Sequence, residues 1–177
     1  MTGHAPGGRP IRAAVITLSD KASVGLRADA SGPTLVSLLA ELGAHVGEPV
    51  VIPDDRRLIE QTLADLADSG EIDLILTTGG TGLAPRDVTP EATLAVADRV
   101  VPGFAEAMRA ASLAVTPHAM LSRAVSAARK KTLIVNMPGS PKACREHFAV
   151  IARALPHAVE TLRGDAFECA TPPGDVV

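Results

Sequence analysis

The stretch D-L-I-L-T at residues 73–77, followed directly by T-G-G-T-G at residues 78–82, decides the fold of this 177-residue chain. Its first half is a short apolar run, which predicts a strand, and its second half is a turn rich in glycine. We therefore expect a buried strand that ends in a glycine-rich loop, and the rest of the sequence is interpreted outward from it.

Three other apolar runs predict strands, at residues 11–18, 44–52 and 132–135. They end at Ser19-Asp20, at Pro53-Asp54-Asp55 and at residues 136–140. Between them, apolar residues recur at helical spacing. Helices are predicted after Ser31, after the capping aspartate at 54–55, from Thr89, over residues 103–115 and, as one long helix that can kink at Pro156, from Cys144 to Leu162.

Alternating strands and helices imply right-handed βαβ units and a mostly parallel sheet covered on both faces. The predicted fold is therefore a three-layer α/β/α sandwich. We expect one domain over residues 11–164, with a disordered tail at residues 1–10 and a C-terminal tail at residues 165–177. In such sheets ligands bind beyond the carboxyl ends of the strands, where four of the predicted loops converge.

Composition excludes several classes of protein. A net charge of -3 with no Trp, no Tyr and three Phe argues against nucleic acid as a partner. The cysteines, Cys144 and Cys169, have no paired spacing, so neither a disulfide framework nor a zinc site is indicated. No signal peptide and no stretch of 18 apolar residues is present, so we expect a cytoplasmic protein without membrane contact.

The glycine-rich turn is a candidate phosphate cradle. Glycines at 79, 80 and 82 permit positive φ and remove Cβ atoms, so successive backbone N–H groups can surround an anion with help from neighbouring threonine hydroxyls. The turn matches neither the P-loop pattern nor the dinucleotide pattern G-x-G-x-x-G. A tight structural turn is the alternative interpretation.

Asp54 and Asp87 are candidate metal ligands, although either can instead be a helix N-cap. Together, at the ends of different strands and beside a phosphate cradle, they offer the oxygen ligands with which Mg²⁺ bridges protein and polyphosphate. Asn136 to Ser140 can hold a second anion or a heterocycle, or be an ordinary strand-to-helix turn. Ser122-Arg123 and the cations at 129–131 can supply positive charge, or be merely solvated.

Several motifs in this order resemble the MogA/MoaB family of molybdenum-cofactor biosynthesis, over residues 11–164. The matching segments are Leu18-Ser19-Asp20, Ile52-Pro53-Asp54, Thr77 to Gly82, Arg86 to Thr93, Met120 to Arg123 and Asn136 to Gly139.

The resemblance implies a molybdopterin adenylyltransferase, a Mg²⁺-dependent nucleotidyltransferase that joins the AMP moiety of ATP to the terminal phosphate of molybdopterin and releases pyrophosphate. It carries the essential, metal-binding aspartates onto Asp54 and Asp87. The implied substrate and nucleotide contacts are Ser19, Asp20, Thr78, Gly79, Gly80, Thr81, Gly82, Ser112, Ser122, Asn136, Pro138, Gly139 and Ser140.

The family also implies a homotrimer, or a hexamer as in some MoaB branches, and a downstream molybdate-insertion enzyme as a partner. Two alternatives follow from the same resemblance. The chain can be a homologue that only binds molybdopterin or serves as a scaffold, or a domain related to the metal-insertion enzyme. Retention of both Asp54 and Asp87 favours the adenylyltransferase, because a pure binding module needs no pair of metal-binding carboxylates.

Overall fold

The computed structural model describes residues 9–165, which form seven strands and seven α-helices. The strands are β1 (Arg12–Leu18), β2 (His45–Val46), β3 (Val50–Ile52), β4 (Leu74–Thr78), β5 (Arg99–Val100), β6 (Ser126–Arg129) and β7 (Thr132–Met137). The helices are α1 (Asp20–Ser23), α2 (Ser31–Glu41), α3 (Arg56–Asp68), α4 (Thr89–Val96), α5 (Pro102–Leu113), α6 (Pro141–Ile151) and α7 (Leu155–Arg163), with a 3-10 turn at Pro117–Leu121.

One sheet in the order β2-β1-β4-β7-β6-β5 runs through the molecule, and β3 also pairs with β1. The pairs among β1, β2, β3, β4 and β7 are parallel, whereas β6 runs antiparallel to β7 and to β5. Successive residues of β1 and β4 point to opposite faces, so each strand supplies both cores. The mostly parallel, three-layer prediction is confirmed.

A separate hydrophobic core lies on each face of the sheet. On one face Leu35 and Leu39 of α2 pack with Phe148 of α6 and with residues of α5 and α7. On the other, Ile59 and Leu63 of α3 pack with residues of α4 against the sheet. Within residues 9–165, no helix is long and apolar enough to cross a membrane.

Two predicted elements are divided in the structure. The strand expected at 44–52 is two short strands separated at residues 47–49, where Pro49 has no N–H to donate to a ladder. The long last helix ends at Ile151, and a new helix starts at Leu155. Pro156 explains the break, because a proline inside a helix removes a hydrogen bond and clashes with the preceding turn, whereas the first turn tolerates it.

The opposite, amino-terminal end of the sheet is held by a cluster of charges around Asp73. This carboxylate is almost fully buried and accepts hydrogen bonds from Arg163, Arg12 and Arg9, at 2.7 to 3.3 Å. Arg163 also donates to the backbone carbonyls of Arg9 and Pro10, at 3.0 Å each. Residues 9 and 10 are therefore attached to the domain through Arg163.

Residues 1–8 and 166–177, which hold most of the two predicted tails and Cys169, lie outside the described residues. Cys144 is a free, buried thiol. Its Sγ lies 3.0 Å from the carbonyl oxygen of Pro138.

Candidate active site

Strand register brings the chemically interesting loops to one edge of the sheet. Thr78 at the end of β4 pairs with Thr17 of β1 and with Met137 of β7, and Leu18 pairs with Ile52. The residues after these strands therefore emerge side by side. Between them is a cavity of about 230 Å³.

Seven residues predicted from the sequence line this cavity. They are Ser19, Asp54, Thr78, Gly79, Gly80, Asp87 and Gly139. The strand ends, the glycine-rich loop and both candidate aspartates thus form one site.

The backbone of the glycine-rich loop leaves donors available. Within residues 9–165, the N–H groups of Gly80, Thr81 and Gly82 have no hydrogen-bond acceptor. The loop is held instead through its carbonyl oxygens: Thr89 donates from Oγ1 to Gly79 O and from its N–H to Gly80 O, at 2.9 and 3.2 Å. Successive unpaired N–H groups in a loop of positive φ are suited to an oxyanion.

The hydroxyls of Thr77 and Thr78 do not share that role. Thr78 Oγ1 donates to Pro138 O at 2.7 Å, and Thr77 Oγ1 accepts from Asn136 at 3.1 Å. Both side chains join the ends of β4 and β7, so the loop contributes to the site chiefly through its backbone.

Gly80 has two reasons to be glycine. Its φ is +62°, and a Cβ there would lie 2.3 Å from Thr89 Oγ1 and 3.2 Å from Asp54 Oδ1. The missing side chain therefore lets the Asp54 carboxylate approach the loop backbone. Gly82 acts in the same way for Asp87, whose Oδ2 would be 2.8 Å from a Cβ at position 82.

Gly80→Ala is expected to destabilise the protein by roughly 2–5 kcal/mol, from left-handed strain together with overpacking. Gly70→Ala is the matched control, because Gly70 has φ +72° but no atom within 4 Å of its Cβ position. The control should cost only about 1–2 kcal/mol, the strain alone. Urea unfolding measures both values, and equal losses would show that the contact with Thr89 is unimportant.

Asp54 and Asp87 are not the helix caps that the sequence left open as alternatives. The cap of α3 is Asp55, whose side chain accepts the Leu58 N–H, and α4 begins after Val88 without a side-chain cap. Asp87 Oδ2 accepts the Ala84 N–H at 2.8 Å, which closes the loop that carries it. The structure thus removes the capping explanation for both residues.

Asp54 and Asp20 hold each other through their backbones. Asp54 Oδ2 accepts the Asp20 N–H at 2.9 Å, and Asp20 Oδ1 accepts the Asp54 N–H at 3.0 Å. Burial raises the pKa of Asp54, and the nearby charges of Asp20 and Asp87 raise it as well, whereas the hydrogen bond from the Asp20 N–H opposes them. Three carboxylates near one cavity create a demand for positive charge.

Asp54→Asn is expected to raise the melting temperature at neutral pH. The pKa of Asp54 in the folded protein lies above the unfolded value of 3.8, so the native state favours protonated Asp54. The protein therefore loses stability as pH rises through the range between these two pKa values. Asparagine removes the charge and can keep the hydrogen bond from the Asp20 N–H. Scanning calorimetry at several pH values measures the effect, and a gain that does not grow between acid and neutral pH would contradict the charge explanation.

Three predicted substrate contacts lie elsewhere. Asn136 is completely buried and its side chain is satisfied in the core, with Nδ2 donating to Thr77 and Thr93 and Oδ1 accepting the Val125 N–H. Ser112 lies on α5, where its Oγ is 2.6 Å from His147 Nε2. Ser122 follows the 3-10 turn and its carbonyl accepts from Arg109. None of these residues lines the cavity.

The remaining predicted residues surround the cavity rather than line it. Ser140 caps α6 by accepting the Ala143 N–H, and Pro138 O accepts the hydrogen bond from Thr78. Thr81 O accepts the Arg123 N–H, and Arg123 Nε donates to Gly82 O at 2.7 Å. Arg123 also pairs with Glu91. Arg123 therefore holds the glycine-rich loop through its carbonyl oxygens and is not merely a solvated charge.

Sequence reasoning missed one wall of the cavity, formed by residues 27–31. Asp29 organises this wall: its Oδ2 accepts from Thr17 Oγ1 at 2.7 Å and its Oδ1 accepts the N–H groups of Ser31 and Gly32. Arg27 contributes a cation to the lining. The aspartate just ahead of the predicted helix start at Ser31 was the available signal.

The class of protein is an α/β protein with a mostly parallel sheet and a cavity at the carboxyl edge of that sheet. Comparison with known proteins shows the family. Residues 14–157 match the family described as "Probable molybdopterin binding domain". The chain belongs to this family of molybdenum-cofactor biosynthesis proteins.

Named relatives agree with this assignment. Molybdopterin adenylyltransferase of Escherichia coli K12 is 42% identical over 174 residues, covering 90% of this chain and 89% of the relative. That of Haemophilus influenzae is 49% identical over 139 residues, covering 77% and 70%. The crystal structure of the molybdopterin biosynthesis enzyme MoaB from Thermus thermophilus superposes with a TM-score of 0.82 at 45% identity, covering 87% of this chain and 97% of that one.

Proposed function

We propose that this protein is a molybdopterin adenylyltransferase, which transfers AMP from ATP to the terminal phosphate of molybdopterin and releases pyrophosphate. The relatives named for that activity support the reaction, since they match along most of the chain. The observation that carries the proposal in this structure is the set of three unpaired N–H groups at Gly80 to Gly82, beside a cavity lined by Asp54 and Asp87.

The reaction needs no protein nucleophile. An oxygen of the molybdopterin phosphate attacks the α-phosphorus of ATP in line, a new P–O bond forms, and the bond from the α-phosphorus to the bridging oxygen breaks. Pyrophosphate leaves with that electron pair. Catalysis then depends on alignment of the two phosphates and on stabilisation of the charge that develops between them.

The backbone of the glycine-rich loop supplies part of that stabilisation. Its N–H donors are fixed by the carbonyl contacts with Thr89 and Arg123, so they need no reorganisation when phosphate arrives. Arg27 adds positive charge on the other wall of the cavity. Both features favour a polyanion over a neutral ligand.

The two aspartates fit a magnesium ion. Asp54 and Asp87 offer hard oxygen ligands on one cavity, and Mg²⁺ is commonly held by one or two carboxylates together with substrate phosphates and water. Among residues 9–165 no group of three or more His, Cys, Asp and Glu side chains could hold a metal, so in this proposal substrate phosphates and water complete the coordination. When bound, Mg²⁺ would neutralise phosphate charge during transfer.

Adenylyl transfer is tested directly by incubating the purified protein with molybdopterin, ATP and Mg²⁺. Formation of adenylylated molybdopterin together with an equal amount of pyrophosphate is the expected result. Tight binding of molybdopterin without product would instead identify a binding or scaffold homologue. Omission of Mg²⁺ should abolish turnover if the two carboxylates act through the metal.

We further propose that the enzyme works in the cytoplasm as a homotrimer or hexamer and passes its product to a molybdate-insertion enzyme. An apolar groove between α5 and α6 is a candidate subunit contact, since it is lined by Val101, Phe104, Val150 and Ile151.

A further inference from the structure

An exposed ion pair joins the start of α1 to the loop that precedes α4. The Arg86 guanidinium donates to both carboxylate oxygens of Asp20, from Nε at 3.0 Å and from a terminal nitrogen at 2.6 Å. The Arg86 side chain is 61% exposed and that of Asp20 is 43% exposed. Arg86 immediately precedes the cavity-lining Asp87, whereas Asp20 opens α1 on the other side.

This arginine lies in an acidic environment. Asp20 and Asp54 exchange hydrogen bonds between carboxylate and backbone. Arg86 is therefore linked through Asp20 to Asp54, whose carboxylate belongs to the proposed reaction centre. In the described part of the chain, Arg86 forms the only salt bridge to Asp20, Asp54 or Asp87. Together with Arg27 in the cavity lining, Arg86 is a cation available to a phosphate that enters beside these carboxylates.

The contact with Asp20 is easily exchanged. An ion pair between solvent-exposed side chains contributes little stability, because water and salt screen both charges. A phosphate carries more charge than a carboxylate and matches the planar fork of a guanidinium equally well. Substrate phosphate can consequently displace Asp20.

We propose that Arg86 is a substrate-binding residue that pairs with Asp20 in the free protein and binds a substrate phosphate in the complex. This inference rests on the proposed function, which supplies two phosphate sources, the polyphosphate of ATP and the terminal phosphate of molybdopterin. The rival role for Arg86 is a latch that only holds Asp20, and through it Asp54, in position.

A double-mutant cycle separates the two roles. Binding of ATP and, in a separate titration, of molybdopterin is measured calorimetrically for the wild type, Arg86→Gln, Asp20→Asn and the double variant. Arg86→Gln should weaken one of the two ligands roughly 10- to 100-fold, the loss of hydrogen bonds to a charged group. The ligand affected identifies the phosphate source.

The effect of Arg86→Gln in the Asp20→Asn variant shows whether Arg86 contacts substrate or only acts as a latch. Asparagine keeps the oxygen that accepts the Asp54 N–H but removes the charge that pairs with Arg86. If Arg86 binds phosphate, Arg86→Gln weakens binding by a similar factor in this background too. If Arg86 is only a latch, it has no further effect there, and that result overturns the inference.

Arg56→Gln is the matched control, because Arg56 is 55% exposed, pairs with Glu60 and does not line the cavity. It should bind both ligands like the wild type. If the wild type binds and turns over both substrates and Arg86→Gln binds them equally well, this inference alone is overturned. A wild type that binds neither substrate would overturn the proposed function and the inference with it.

Discussion

Replacing Asp87 by asparagine is expected to leave the protein folded and to reduce adenylyl transfer by at least about 10²–10³-fold, the usual loss when one stabilising charge contact is removed from an active site. The fold should survive because Asp87 caps no helix. Asparagine can still accept the Ala84 N–H that closes the loop. What it lacks is the negative charge that would hold the proposed Mg²⁺.

Asp55→Asn is the control for this experiment. Asp55 is an exposed aspartate next to Asp54, and its side chain caps α3 by accepting the Leu58 N–H at 2.9 Å. Asparagine is an equally good cap, so this variant should keep wild-type turnover and stability. Rates of pyrophosphate release and unfolding curves are compared for both variants. Near-normal turnover of Asp87→Asn would remove Asp87 from the proposed chemistry.

Asp73→Asn is expected to destabilise the protein by about 3–5 kcal/mol, the cost of leaving one partner of a buried ion pair uncompensated. The side chains of Asp73 and Arg163 are only 3% and 4% exposed, and Asp73 also accepts from Arg12 and Arg9. Because this cluster lies at the amino-terminal end of the sheet, turnover of the folded fraction should be unchanged.

Asp68→Asn provides the exposed counterpart. Asp68 pairs with Arg129 and Lys130 but its side chain is 34% exposed, so solvent screening should make its loss much less destabilising than that of Asp73. Chemical unfolding measures both variants. Equal losses would show that burial does not determine the strength of the Asp73 cluster.

Acid should reduce the difference between the wild type and Asp73→Asn. Burial alone would raise the pKa of Asp73, but hydrogen bonds from Arg163 and Arg12 hold it well below the usual 3.8. The stabilisation is therefore complete above the unfolded value and is lost as pH falls towards the folded value. A difference that stays constant from neutral pH to below about pH 3 would contradict this linkage.

The local sequence pattern was sufficient to predict the strands at the centre of the sheet. The runs at 11–18 and 73–77 became β1 and β4 within one residue at each end, and Ser31 does begin α2. Strands β5 and β6 were missed because S-A-A-R and R-V have no apolar alternation of their own. They form by pairing with one another and with the edge of β7.

The sequence by itself determined the mostly parallel sheet and the glycine-rich loop, and it singled out Asp54 and Asp87 as candidates, because each depends on residue types within a few positions of one another. Only the tertiary structure decided the roles of side chains whose partners are distant in sequence. Asn136 is satisfied in the core by Thr77 and Thr93, and Asp20 is shared between Asp54 and Arg86. The register between strands determines which residues become these partners, and no local sequence pattern specifies that register.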